Sequence, residues 1–466
     1  MVSESPRIPR RYTPPAVPER FARSQWFRRA RLGMFIHWGV YSLLGRGEWV
    51  RSHEEMTAQD YLPWAKAFNP ESVDFHEWAR LAKEAGMEYA ILTAKHHDGY
   101  CLFDSAHSDF TSAKMTPGRD FVAEFLEAFR AEGLRVGLYF SLIDWADPDY
   151  PVRGDAFHPQ RNDPAFRGVR HDFDAYLTKM HAQVKELCTN YGALDILWFD
   201  FSYDEMTGER WRARELVEMV RSLQPQVLID NRLEVSASAF GSIVTAEPSP
   251  FAGDFVSPEQ LIPPSGILGE DGAPVPWESC VTLNNHWAWH HSDTAMKAPS
   301  TLAAKLVEIV SKGGNLLLNV GPDGQGRIPA ESAETLRAFG AWVHAHEEAL
   351  KGAGPAGIDK PEWGRWTMRG SHLYAHVWEE PIGPLPLVGV RPQDIESVRL
   401  IGGDGHVHVA KSWVIEAYPD VAFLSFAPPG QDDAFTFPLP QGRGTVIDIA
   451  LRESGGTEEE EEHSHE

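Results

Sequence analysis

The sequence predicts an α/β fold, an irregular (β/α)8 TIM-like barrel followed by a small C-terminal antiparallel β-sandwich. Eight short apolar runs alternate with helical patterns across residues 1–351, and nearly every run ends in a polar or charged residue. That alternation is typical of a parallel α/β sheet, and eight strands close a barrel. After a glycine-rich linker at residues 352–357, strand-and-turn patterns replace the helical ones.

The fourth run, residues 194–200, is the clearest of the eight. It is too short for a helix, lies between Gly192 and a polar stretch, and ends in Asp200. An acid at the C-terminal end of a buried parallel strand lies where an α/β barrel displays its chemistry. A strand-end Asp that only caps the next loop is the more common case when the segment is taken alone. Asp200 is therefore a candidate catalytic residue, and this interpretation depends on finding polar residues at the ends of the other strands as well.

Helical patterns separate most of the runs. Asp74 and Glu77 form an N-terminal capping pattern before one apolar face, and Asp120 and Ser300 open two further helices. Residues 171–190 and 208–223 also have a helical pattern. Only a short stretch separates residue 232 from residue 243, too little for a crossover helix, so we expect the barrel to be irregular there. The eight predicted strands are residues 34–38, 89–95, 136–141, 194–200, 227–232, 243–247, 277–282 and 315–320.

The C-terminal part, residues 358–452, is predicted to form the β-sandwich, because its apolar residues alternate and no helical period competes. Residues 453–466 contain an unbroken run of glutamates and are predicted to be a disordered acidic tail. The predicted strands of the sandwich are residues 373–378, 398–401, 407–409, 413–417, 421–426, 435–437 and 445–451.

The charge balance restricts the partners. The chain has 43 basic and 67 acidic residues and a net charge of −24, which argues against nucleic acid or an anionic membrane as a partner. The N-terminal region has no signal-peptide core, and no run approaches a membrane span, so we expect a cytoplasmic protein. The three cysteines are widely spaced and predict neither disulfides nor a zinc site. A homo-oligomer is compatible with the sequence.

Polar and aromatic residues gather at one face if the runs are barrel strands, because the C-terminal ends of parallel strands meet there. Two carboxylates, neutral hydrogen-bonding side chains and aromatic platforms are typical of a glycosidase site. One carboxylate attacks or stabilises the anomeric carbon while a protonated one donates to the leaving oxygen. The candidates are His37, Glu48, Trp49, His96, His97, Tyr139, Trp198, Asp200, Arg232, Glu247 and Glu278.

Two other readings remain open. His96-His97 and His290-His291 suggest a metal-dependent hydrolase, but consecutive strand residues point to opposite faces and rarely bind one ion. A catalytically inactive carbohydrate-binding protein is the second alternative, and the presence of both Asp200 and Glu247 argues against it. Nucleotide-binding glycine loops are absent from the sequence.

Several long motifs resemble the α-L-fucosidases of glycoside hydrolase family 29. They are Phe-Ile-His-Trp-Gly at residues 35–39, Gly-Glu-Trp at 47–49, Thr-Ala-Lys-His-His-Asp-Gly at 93–99 with Asp-Ser at 104–105, and the stretch from Ser311 to Pro322. The resemblance covers about residues 25 to 345. It implies a retaining exo-hydrolase that needs no cofactor or metal and releases terminal α-L-fucose from a fucosylated glycan.

The resemblance also implies residue roles. The nucleophile of the family falls on Asp200, and Glu247 is preferred to Glu278 as the general acid/base because Thr-Ala-Glu at 245–247 is similar to the acid/base strand of bacterial members. Phe201 stands where many relatives have glycine, and residues 286–290 depart from a usual Trp-Gly-Tyr pattern. The implied sugar-binding residues are His37, Glu48, Trp49, His96, His97, Tyr139, Trp198 and Arg232, with Glu278 either binding or structural.

Overall fold

The computed structural model describes residues 16–452. The predicted acidic tail, residues 453–466, lies outside the described residues. The described chain divides into two compact units between Gly352 and Ala353, inside the predicted linker. No helix of the described residues is long and apolar enough to cross a membrane.

The first unit is built on a curled parallel sheet of seven strands. Its strand order is β5-β4-β3-β2-β1-β7-β6, and every neighbouring pair is parallel. The strands are buried along nearly their whole length, as expected for a parallel sheet covered by helices. Their bounds are β1 Leu32–Ile36, β2 Tyr89–Lys95, β3 Arg135–Ser141, β4 Ile196–Asp200, β5 Leu228–Ile229, β6 Glu278–Thr282 and β7 Asn315–Val320.

The predicted strand at residues 243–247 is wrong. The structure has a 3-10 helix at Gly241–Val244, and the chain then bends away. The gap between β5 and β6 is instead filled by residues 254–260, which we call the closing segment. Isolated parallel bridges join it to both edge strands, Asp230 to Phe255 on one side and Glu259 to Cys280 on the other. Its Phe255 ring belongs to the buried cluster inside the barrel.

Helices cover the sheet, and two of them begin at the expected capping residues. Ser300 does not open its helix, which begins at Pro299 after Ala298. The carboxylate of Asp74 accepts hydrogen bonds from the backbone N–H groups of His76 and Glu77, and that of Asp120 accepts one from Ala123. The bounds are α1 Phe27–Ala30, α2 Val40–Leu44, α3 Val50–His53, α4 Ala58–Ala67, α5 Phe75–Glu84, α6 Phe121–Ala131, α7 Phe173–Asn190, α8 Ala213–Leu223, α9 Pro299–Ser311, α10 Ala330–Ala345 and α11 Glu347–Leu350.

The second unit consists of two antiparallel sheets, ordered β11-β14-β9-β8 and β10-β13-β12. Trp366, Leu373, Leu424 and Ile447 from both sheets share one buried core. The strands are β8 Gly364–Arg369, β9 His372–Val377, β10 Leu385–Leu387, β11 Ile395–Ile401, β12 His408–Val409, β13 Ala422–Ser425 and β14 Thr445–Leu451.

Two predicted strands of the sandwich are wrong. Residues 413–417 contain a 3-10 helix at Trp413–Ile415, and residues 435–437 form no strand. Trp413 and Phe435 are 72% and 63% exposed, so their apolar character does not mark a buried face. Strands β8 and β10 have no counterpart among the predicted strands.

Candidate active site

The strand ends of the barrel bring the predicted polar residues to one place. His37 follows β1, His96 and His97 follow β2, and Arg232 lies three residues after β5. Within β4, Trp198 and Asp200 are two residues apart and therefore face the same side of the sheet. Adjacent rings connect these residues, since Tyr139 of β3 stacks on both Trp198 and His96.

Asp200 is held by two donors on its two oxygens. Tyr139 donates its hydroxyl to Oδ2 at 2.8 Å, and Arg232 Nη1 lies 2.9 Å from Oδ1. Burial raises the pKa of Asp200, while Arg232 and Tyr139 act in the opposite direction. The side chain is 13% exposed, so the carboxylate is oriented by protein groups but open to a ligand. Such an oriented and accessible carboxylate suits a nucleophile.

Arg232 joins Asp200 to a second carboxylate, Glu259. The same Nη1 atom lies 3.1 Å from Glu259 Oε2, and the guanidinium lies over the ring of Trp198 at 4.7 Å. Ser257 accepts from Nε through its hydroxyl and from Nη2 through its carbonyl oxygen. Burial opposes the positive charge, but the two acids keep the pKa of Arg232 above its ordinary value. Arg232 is thus a fixed cation between two carboxylates.

The separation of Asp200 and Glu259 follows from this shared nitrogen. Their facing oxygens lie 2.9 and 3.1 Å from Nη1, so they are closer to each other than the roughly 6.5 to 9.5 Å that inverting glycosidases need for a water. Glu259 is 33% exposed at its side chain, compared with 13% for Asp200. A buried acid and a more exposed acid therefore stand side by side.

Two neutral histidines offer nitrogen lone pairs beside these acids. Ser141 donates its hydroxyl to Ile143 O, so its oxygen accepts the proton of His97 Nδ1 at 2.7 Å, which leaves Nε2 unprotonated 4.0 Å from Asp200 Oδ2. Asn319 donates to Trp287 O and accepts from His37 Nδ1 at 2.6 Å, leaving His37 Nε2 as an acceptor.

Burial keeps these rings uncharged. It lowers the pKa of His37 to about 3 and lowers those of His96 and His97 well below their ordinary value. A neutral imidazole nitrogen accepts a hydrogen bond from a sugar hydroxyl without bringing a charge into the site.

Glu48 and Trp49 lie on the loop after α2, beside the same group of residues. Glu48 is buried, its Oε2 accepts from the backbone N–H of Ala288 at 3.0 Å, and burial raises its pKa. The ring of Trp49 lies 5.1 Å from that of His97, edge to face. The two residues that the sequence places together thus contribute one carboxylate and one aromatic face.

Glu278 lies inside the barrel at the first position of β6. It is fully buried, accepts the hydroxyl of Tyr89 at 2.6 Å and the indole N–H of Trp198 at 3.1 Å, and burial raises its pKa to about 7. The C-terminal ends of the strands carry the other site residues, so Glu278 supports Trp198 from the opposite end. Glu278 therefore acts on the site by holding the indole ring of Trp198.

Glu247 is placed differently from the prediction. The strand that was expected to carry it does not form, and its side chain is exposed after the 3-10 helix Gly241–Val244. No hydrogen bond or ion pair of the described residues joins Glu247 to Asp200 or Arg232. The carboxylate beside Asp200 belongs to Glu259 on the closing segment, because that segment takes the place of the missing strand.

Glu259 is absent from the candidates drawn from the sequence. Its segment offers only two adjacent apolar residues, Phe255 and Val256, before Pro258, which has no N–H for a strand ladder. The predicted strand at residues 243–247 already occupied the barrel position between β5 and β6, so no unfilled position pointed to the closing segment. Within residues 16–452, no group of three or more His, Cys, Asp or Glu side chains is arranged to hold a metal ion.

A parallel α/β barrel with two neighbouring carboxylates, neutral histidines and aromatic faces at its strand ends defines a glycoside hydrolase. The family model described as Alpha-L-fucosidase matches residues 2–348. The chain belongs to the α-L-fucosidase family, glycoside hydrolase family 29, and is an enzyme of that family.

Solved structures and curated proteins agree with this assignment. The chain is 49% identical to α-L-fucosidase isoenzyme 1 from Paenibacillus thiaminolyticus, covering 93% of this chain and 100% of that one with a TM-score of 0.87. It is 27% identical to tissue α-L-fucosidase of Rattus norvegicus over 92% of this chain and 91% of the relative.

A structure from Bacteroides thetaiotaomicron is 27% identical, with 93% of this chain and 96% of that chain covered and a TM-score of 0.75. It is described as a trapped covalent intermediate of an α-L-fucosidase, in complex with 2-fluoro-fucosyl fluoride and obtained with a glutamate-to-glutamine mutant.

Proposed function

We propose that this protein is a retaining exo-glycosidase that releases terminal α-L-fucose from fucosylated oligosaccharides or glycoconjugates by double displacement. The observation that carries the proposal is the pair Asp200 and Glu259 on one guanidinium nitrogen of Arg232. Their closeness fits the separation of about 5 to 5.5 Å expected of retaining enzymes. The covalent intermediate of the Bacteroides protein supports the same chemistry.

In the first step, a carboxylate oxygen of Asp200 forms a bond to the anomeric carbon while the bond to the leaving oxygen breaks. Glu259 gives its proton to that oxygen, so the leaving group departs as an alcohol. In the second step, Glu259 takes a proton from water, whose oxygen attacks the anomeric carbon and frees Asp200.

The surrounding groups have defined tasks in this scheme. Arg232 and Tyr139 hold Asp200 in position for attack. His37, His97 and Glu48 supply acceptors for sugar hydroxyls, and Trp49 supplies an aromatic face. The positions of these side chains around Asp200 support these roles, and so do the sequence motifs that the chain shares with the family.

Point variants test the assignment of the two acids. With 4-nitrophenyl α-L-fucoside, we expect Asp200→Ala to lose nearly all activity. We expect Glu259→Ala to lose activity as well, but sodium azide should restore its turnover, with fucosyl azide as the product. Glu247→Ala is the matched control and should retain wild-type kcat/KM. Azide rescue of the Glu247 variant in place of the Glu259 variant would return the acid/base role to Glu247.

Labelling with 2-fluoro-fucosyl fluoride tests the covalent step. We expect the added mass on the peptide that contains Asp200, and none on that peptide in Asp200→Asn. Full activity of Asp200→Ala would reject the mechanism. Loss of wild-type activity on dialysis against a chelator would instead support the metal-dependent alternative.

A further inference from the structure

Asp230 is a buried acid beside Asp200 and Glu259 that the proposed mechanism does not use. It directly follows β5, is fully buried, and lies two residues before Arg232. Burying a carboxyl group is costly unless cations or hydrogen-bond donors surround it. Such a group is tolerated where its contacts offset this cost.

One oxygen of Asp230 extends the pairing between β4 and β5. The backbone ladder of these two strands ends at the pair Leu197 and Ile229. Beyond that pair, the backbone N–H of Phe199 donates to Asp230 Oδ1 at 3.0 Å. Phe199 directly precedes Asp200, so this hydrogen bond holds the end of β4 that carries the Asp200 carboxylate.

The backbone of Asp230 pairs with the closing segment. An isolated parallel bridge joins Asp230 to Phe255, whose ring belongs to the buried cluster inside the barrel. The same segment carries Glu259 further along the chain. A single residue therefore connects the strand that ends in Asp200 with the segment that places Glu259.

The second oxygen of Asp230 has no hydrogen-bond donor. Oδ2 is buried, and no group of residues 16–452 donates to it. The guanidinium of Arg232 binds Asp200 and Glu259 instead, and its other nitrogens bond to Ser257. An ionised carboxylate with an unpartnered oxygen is costly at this depth, whereas a protonated carboxyl group buries no charge.

The charges around Asp230 also favour the protonated form. Burial raises the pKa of Asp230 well above its ordinary value, while Arg232 and the N–H of Phe199 act in the opposite direction. The acids Asp200, on β4, and Glu278, on β6, raise this pKa further. The two acids of the closing segment form ion pairs elsewhere, Asp254 with Arg23 and Arg221, and Glu259 with Arg232.

We infer that Asp230 is a positioning residue that fixes the distance between Asp200 and Glu259, and that it does so as a protonated carboxyl group. Its Oδ1 atom holds the end of β4 while its backbone holds the closing segment, so both acids keep their places on Arg232. The protonated form adds no third negative charge to this pair. The inference rests on the proposed function of the two acids.

Two substitutions of Asp230 test the positioning role with 4-nitrophenyl α-L-fucoside. Asp230→Asn keeps an oxygen that accepts the N–H of Phe199 and matches the protonated acid in size and charge, so kcat/KM should stay within about twofold of wild type. Asp230→Ala loses the acceptor. We expect its kcat to fall about tenfold to a hundredfold, with KM changed less than about threefold.

The pH profile separates positioning from a general loss of structure. Burial raises the pKa of Asp200 and Arg232 opposes this, so displacement of β4 in Asp230→Ala should move the acidic limb of the kcat/KM profile to higher pH. Asp230→Asn should keep the wild-type limb. An unmoved limb or an unchanged kcat in Asp230→Ala would overturn the positioning role. An Asp230→Asn variant as slow as Asp230→Ala would overturn the protonated form.

Infrared difference spectra test the protonated form without any need for activity. The spectrum of wild type minus Asp230→Asn at pH 7 should show the C=O band of a protonated carboxylic acid. Asp254→Asn is the matched control, because Asp254 is also buried and accepts the backbone N–H of Ile229. It differs in forming ion pairs with Arg23 and Arg221, so its difference spectrum should show carboxylate bands. Carboxylate bands for Asp230 would overturn the inference, whether or not Asp230→Ala folds.

Wild-type activity separates this inference from the proposed function. If the wild type hydrolyses the fucoside and kcat does not respond to Asp230→Ala, the inference fails while the function stands. If the wild type does not hydrolyse it, the proposed function fails and the positioning role fails with it.

Discussion

Single hydrogen bonds set the state of Asp200. The hydroxyl of Tyr139 and the guanidinium of Arg232 each bind one carboxylate oxygen. Bonds to an ionised group contribute more than neutral ones, so each contact affects both the position and the charge of the acid.

Removal of the Tyr139 hydroxyl tests this point. In Tyr139→Phe, we expect kcat/KM to fall about tenfold to a hundredfold, because a donor to a charged group is lost. The hydrogen bond from Tyr139 lowers the pKa of Asp200, so its loss raises that pKa and moves the acidic limb of the pH profile of kcat/KM to higher pH. A lower rate with an unmoved acidic limb would contradict the role of Tyr139 in holding the charge.

Glu278 gives a second prediction at the residue scale, on stability. Burial raises its pKa from 4.5 to about 7, so the folded protein holds the proton more tightly than the unfolded chain. The free energy of unfolding should therefore fall as pH rises between those values, by up to about 3 kcal/mol. Above pH 7 this effect is complete.

Glu278→Gln removes this titration. Its amide oxygen still accepts the indole N–H of Trp198, and its amide N–H can donate to the hydroxyl oxygen of Tyr89 in place of the bond that Tyr89 donates to Glu278. We expect the stability of the variant relative to wild type to increase from pH 5 to pH 8, as measured by urea unfolding at both values. The remaining titrating groups are common to both proteins and cancel in the difference. Parallel pH curves would show that Glu278 is ionised alike in the folded and unfolded states.

At the scale of elements, the closing segment decides the active site. It hydrogen-bonds to β5 through Asp254 N and Ile229 O and to β6 through Cys280 N and Pro258 O. Phe255 anchors it in the barrel interior. Glu259 reaches Arg232 because these contacts place residues 254–260 between the two edge strands.

Gly253 permits this approach. Its φ is +84°, and a Cβ would lie 2.3 Å from the carbonyl oxygen of Asp230. We expect Gly253→Ala to destabilise the fold by about 3 kcal/mol or more and to reduce kcat/KM strongly, because the segment must move away from β5.

Gly272→Ala is the matched control, since its φ is +74° but a Cβ would meet nothing within 4 Å. It should cost only about 1 kcal/mol for the left-handed backbone and leave activity unchanged. Chemical unfolding and kcat/KM of both variants provide the comparison. Equal effects would show that the contact with Asp230 is unimportant.

At the scale of the whole molecule, each of the two units contains a buried core of its own among residues 16–452. The barrel interior is filled by rings such as Phe35 and Trp198, and the sandwich has its own cluster that includes Leu373 and Leu424. Each core can support a cooperative unfolding unit.

Calorimetry tests this division. We expect two unfolding transitions, and L-fucose at about 100 times its Kd should stabilise only the barrel, by about 2.7 kcal/mol, raising that Tm by several degrees. Leu424→Ala, at a fully buried position, should lower only the other transition. A single transition that both changes shift would show that the units unfold together.

Much of the barrel was predictable because its signals are local. Seven of the eight apolar runs are strands at nearly the expected places, and Asp74 and Asp120 cap the helices that they were expected to open. The strands that failed, residues 243–247, 413–417 and 435–437, are short apolar stretches whose burial depends on partners remote in the chain.

The residues of the candidate site also differ in whether a local sequence signal predicts them. Asp200, Tyr139, His37 and His97 stand on or directly after regular strands, and the structure places them together. Glu259 stands on a segment that lacks strand periodicity and is held by bonds to β5 and β6. A local sequence pattern does not predict hydrogen bonds between segments that are remote in the chain.

The sequence by itself determined the barrel, the family and the carboxylate that ends β4, because apolar periodicity and long motifs are properties of contiguous residues. Only the tertiary structure decided which carboxylate stands beside Asp200. The last position of the barrel is filled by hydrogen bonds from residues 254–260 to both edge strands, and that pairing brings Glu259, and not Glu247, to Arg232.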